Sequence, residues 1–134
     1  ITLCDSEDAL AAVIGHEIMH VDLGHTTMRM AEVQAEEHIP NNRRATIDPG
    51  YFGASRPHDQ ELAADREGVI AAVAAGYSPF GMRRLFETFN FIFRSYTLPA
   101  NALTIDARIA QLDQLIAERG WASLADEKKP LQLP

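Results

Sequence analysis

With 134 residues, 46% of them apolar, the chain has the material for one domain with a true core. A formal net charge of −7 argues against general nucleic-acid binding. One cysteine, Cys4, excludes an internal disulfide and a cysteine-rich zinc cluster, and no run approaches the roughly 18 apolar residues of a membrane helix.

The chain begins at Ile1 and enters a helical pattern almost at once, so it reads as a piece of a longer protein, with any signal peptide or membrane anchor upstream. Asp5 or Ser6 can cap a first helix starting near Glu7, whose first turn is acidic. Its pattern continues through Met28 toward Glu37, where "HIPNN" stops it. Residues 39–57 are rich in Pro, Gly, Asn and Ser and form a long loop. That loop is expected to be either a flap over a cleft or a connector packed through Tyr51 and Phe52. A second helix covers about residues 59–75 and closes at Gly76. Ser78 and Pro79 supply the cap and first position of a third helix, with Met82, Phe86, Phe89 and Phe93 on its core face. A fourth helix spans about residues 105–118, with Ile105, Ile109, Leu112 and Ile116 on one side and Gly120 at its end. Residues 121–134 read as a polar, proline-bounded tail. No repeat and no persuasive strand is visible, so the chain is mainly α.

The first helix carries the chemistry. His16 and His20 stand at i and i+4, roughly 40° apart around the axis, and can aim imidazole nitrogens at one point. Glu17 lies beside that point, placed to accept a proton from a metal-activated water. This is the H-E-x-x-H arrangement of zinc hydrolases. Ala9, Val13 and Gly24 share the histidine face and keep it small and apolar. Two helix histidines bonded to carbonyls or water would fit the same spacing, so a third ligand is needed. A histidine six residues after His20 would supply one pattern, but that position is Thr26 and His25 is one residue off. The alternative is a glutamate from another helix. Glu61 and Asp65 form a second i, i+4 pair, and Gly68 and Ala72 continue their face, admitting a close neighbour. Glu61 is then the third metal ligand, and Asp65 the carboxylate that orients a ligand histidine. His25, past the ligand turn, reads as a structural or loop-anchoring residue.

"HEIMHVDLGH", "SRPHDQELAADREGVIAAVAAGYSPFGMRRLFE" and "DARIAQL" together resemble the gluzincin metallopeptidases related to the CAAX prenyl protease and the HtpX heat-shock protease. The resemblance rests on His16, Glu17 and His20, on Glu61, Ala64 and Asp65, and on Gly76, Tyr77 and Pro79, and it spans most of residues 6–118. It implies a zincin-like catalytic domain over residues 1–120, one zinc held by His16, His20 and Glu61, and Glu17 as the catalytic base with Asp65 in support. It also implies endopeptidase action on protein or peptide substrates. The chain departs from the pattern twice. Residues 24–58 are polar where membrane-embedded members carry hydrophobic spans, which is more similar to the soluble, envelope-located branch and the Oma-type protease. A location in the bacterial cell envelope, periplasmic or membrane-associated, follows from that likeness. The His-Pro pair that many relatives carry six residues before Arg108 is replaced by Ala102 and Leu103. His58, Tyr51, Tyr77 and Arg108 are the candidate oxyanion donors. The rival reading is a catalytically silent zinc-containing chaperone or protein-binding module, against which the intact Glu17 speaks. The sequence specifies no oligomeric state.

Overall fold

In the computed structural model, which describes residues 4, 6–28, 30, 31, 57–93 and 103–124, every complete element is helical. Helix α1 runs Glu7–Asp22 and is capped by Ser6, whose hydroxyl accepts the Ala9 N–H at 3.2 Å. It is shorter than its pattern predicts. The Leu23 N–H reaches Met19 O at 2.9 Å, the Gly24 N–H reaches Val21 O at 3.0 Å, and Gly24 sits at φ 74°. That left-handed turn ends the helix, and residues 25–28 are helical again in a new direction.

Helix α2 is His58–Ala74. Gly76 at φ 92° closes it, with the Tyr77 N–H bonded to Ala72 O at 3.0 Å and the Gly76 N–H to Val73 O at 2.9 Å. Helix α3, Gly81–Phe93, starts two residues after Pro79, its expected first position. The delay has a cause: Ser78 accepts the Phe80 N–H on its hydroxyl at 3.2 Å while giving its own N–H to Asp8 Oδ1 at 2.8 Å. The turn is thereby fastened to α1 before α3 begins. Helix α4 is Ile105–Glu118, as its pattern predicts, with Thr104 capping the Ala107 N–H at 3.1 Å. Gly120, at φ 67°, leads into a 3-10 turn at Trp121–Ser123. Trp121 packs against the core, so the start of the tail is attached to the domain. The 39–57 loop up to residue 56, position 102 and residues 125–134 lie outside the described residues. Among the described residues there is no β-sheet, and no helix is long and apolar enough to cross a membrane.

Helix α1 packs on α2 and α3, and α4 packs on the same two. The core lies where the four meet: Ala12, Val69, Met82, Leu85, Phe86, Leu112 and Leu115. Leu112 and Leu115 are fully buried, each worth roughly 1.5–3 kcal/mol. The contact between α1 and α2 is made backbone to backbone. A Cβ on Gly15 would stand 2.6 Å from Gly68 O, and a Cβ on Gly68 would stand 2.6 Å from the His16 nitrogen. Only paired glycines allow this approach, and it sets the α1 face carrying His16 against the α2 face carrying Asp65.

Candidate metal centre

His16 and His20 leave α1 on the side that meets α2, and both are buried there. Their Nε2 atoms face each other at 3.0 Å. From α2, Glu61 brings Oε1 to 3.3 Å from His20 Nε2 and Oε2 to 3.7 Å from His16 Nε2. One donor atom from each of the three residues lies within 4.8 Å of the others. Two donors about 2.0–2.1 Å from one tetrahedral zinc stand roughly 3.4 Å apart. The two imidazole nitrogens stand close to that value and a different oxygen of Glu61 comes close to it at each of them, and two imidazoles with one carboxylate form a donor set that zinc takes, so these residues fit the ion.

Further side chains stand behind the candidate ligands. His16 Nδ1 lies 2.8 Å from Asp65 Oδ1, although its N–H direction leaves it without an aligned hydrogen bond. Asp65 is fully buried, and Arg108 from α4 grips it with both arms: Nε donates to Oδ2 and Nη2 to Oδ1, each at 2.7 Å. The same Nη2 lies 3.4 Å from Glu61 Oε2, and the guanidinium stacks 4.4 Å from the centre of the Phe86 ring. Such a fork neutralises a buried carboxylate that would otherwise be costly to desolvate.

The sequence-predicted ligands His16, His20 and Glu61 are thus brought together, with Asp65 behind His16. Glu17 is exposed, one residue after His16 on α1. Among the oxyanion candidates, Arg108 is committed to Asp65 and Glu61, His58 is exposed at the start of α2, Tyr77 is half-buried, and Tyr51 lies outside the described residues. The engagement of Arg108 with the carboxylates is absent from the sequence reading. One signal was available: Arg108 sits on the same face of α4 as Ile105 and Leu112, where a charge needs a buried partner. The second new contact is at His25, whose Nδ1 lies 2.9 Å from His20 Nδ1.

No curated protein and no solved structure matches the chain. The sequence pattern of Peptidase family M48 matches residues 1–40, a stretch that contains His16, Glu17 and His20 and stops short of Glu61.

Proposed function

We propose that the chain is a zinc-dependent endopeptidase that hydrolyses peptide bonds in protein substrates. The observation that carries this is the meeting of His16, His20 and Glu61 from two separate helices, with Glu17 next to the first ligand. The M48 likeness of the first 40 residues supports the part of it that rests on His16, Glu17 and His20, and Glu61, outside that stretch, adds a contribution of its own. Likeness to the soluble branch makes the bacterial cell envelope its proposed location.

Bound at this centre, zinc supplies a Lewis acid that lowers the pKa of a water toward ~7 and polarises a carbonyl. The chain's own residues do the rest. His16 and His20 offer Nε2 as donors only when their protons sit on Nδ1, and Asp65 Oδ1 at 2.8 Å favours that tautomer at His16. Glu61 would bring the one negative charge among the three donors, leaving a divalent ion held there with net positive charge. Glu17, exposed to solvent one residue after His16, takes the proton of the attacking water and returns it to the leaving amine.

The test is zinc content together with casein cleavage. Wild type should hold about one zinc per chain and cleave casein. Glu17→Gln should keep the zinc and lose nearly all cleavage, and Glu61→Gln should lose the zinc. Full cleavage by Glu17→Gln would overturn the mechanism. Zinc without cleavage in wild type would favour the silent binding module.

A further inference from the structure

We propose that His25 is a positioning residue of the metal centre, fixing the tautomer and ring orientation of His20. This rests on His16, His20 and Glu61 being a zinc site. The two ligand histidines are backed differently. His16 has the Asp65 carboxylate at its Nδ1, whereas His20 has the Nδ1 of His25, at 2.9 Å. With Nε2 of His20 given to the metal, its proton must lie on Nδ1, and His25 Nδ1 must then be the acceptor. That fixes His25 itself as the Nε2–H tautomer.

The backbone is shaped for this contact. In an unbroken helix, residues five apart point roughly 140° apart around the axis and cannot meet. Here the helix breaks at Leu23 and Gly24, the latter at φ 74°, and the chain turns so that His25 faces back onto His20. Both rings are buried, His20 at 1% and His25 at 8% exposed, with centroids 5.1 Å apart in an edge arrangement. A histidine that merely anchored the turn could use its backbone or a carbonyl; a ring nitrogen aimed at the far nitrogen of a ligand does more.

The experiment compares wild type, His25→Leu and His25→Gln by zinc-affinity titration against a competing chelator. Leu removes the acceptor, and Gln restores one through its side-chain carbonyl. Affinity should fall about 10–100-fold in His25→Leu and stay within about threefold of wild type in His25→Gln. Long-range proton–nitrogen NMR of the zinc-loaded chain should show His20 protonated on Nδ1 and His25 on Nε2. Unchanged affinity in His25→Leu, equal loss in both variants, or a His25 proton on Nδ1 would each overturn the proposal. Failure of wild type to bind zinc would overturn the peptidase reading as well; failure confined to the variants touches only His25.

Discussion

At the scale of single residues, Arg108 is the cation that backs the candidate ligand set from α4. It satisfies both oxygens of a carboxylate with no solvent access and reaches toward a ligand carboxylate as well. Arg108→Leu would leave Asp65 buried with its charge uncompensated. Breaking a buried pair from one side costs about 3–5 kcal/mol; Arg108 keeps 18% of its side chain exposed, so about 2–4 kcal/mol is expected. Urea unfolding reads this directly, and a loss below about 1 kcal/mol would mean that Asp65 is stabilised by other means. Arg108→Lys should recover only part of the loss, because one ammonium cannot reproduce the fork. Asp8 shows how a residue can be read correctly and incompletely. Its place in the first turn of a helix suggests a favourable dipole contact. In the fold it is buried, accepting the Ser78 N–H at 2.8 Å and lying 3.5 Å from Arg84 Nη2. Both partners are at least 70 residues away, beyond any local pattern.

At the scale of elements, the α1–α2 contact sets the distance between the candidate ligand groups. Gly68 lies three residues after Asp65 and seven after Glu61 on α2, against Gly15 and His16 of α1. Gly68→Ala would place a methyl 2.6 Å from backbone, which cannot rotate aside, so the helices must part. Overpacking of this kind costs about 1–3 kcal/mol. Zinc affinity should fall with it, because Glu61 and Asp65 move with α2. A variant with reduced stability but wild-type zinc affinity would show that the ligands do not depend on this contact. The small-residue face of α2 was legible in sequence because Gly68 and Ala72 fall in register with the two carboxylates. The extent of α4 was legible from its apolar side and Gly120, and the close of α2 from Gly76, whereas the Thr104 cap appears only in the fold. The end of α1 was not. Val21, His25 and Met28 keep helical spacing across the Gly24 turn, so periodicity runs through a break that only the backbone reveals. Arg108 was visible as a charge on an apolar face, but its partner is fixed by tertiary packing.

At the scale of the whole molecule, the proposed ligands converge only when the chain is folded, so metal should stabilise the native state by mass action. Free zinc at 100 times Kd adds about 2.7 kcal/mol, on the order of 10 °C in Tm for a domain of this size. Melting with zinc and with a chelator should differ by that order in wild type and hardly at all in Glu61→Gln. Equal melting temperatures in wild type would deny the site any strong affinity. The mainly helical architecture and the core face of α4 were available from periodicity, since Leu112 and Ile116 are buried with Ile105 and Ile109 packed beside the core. The pairing of helices was not, because nothing in a periodic pattern says which apolar faces meet. Finally, the donor set is divided unevenly along the chain. His16 and His20 share one helix, while Glu61 follows His20 by 41 positions. The histidine pair exists as soon as α1 winds, on the microsecond scale of local helix formation. The carboxylate arrives only when a distant segment closes its loop, the slower kind of event in folding. An ion added during refolding would therefore meet first a weak two-point foothold and then a firm grip, and the interval between them would time the docking of α2 onto α1.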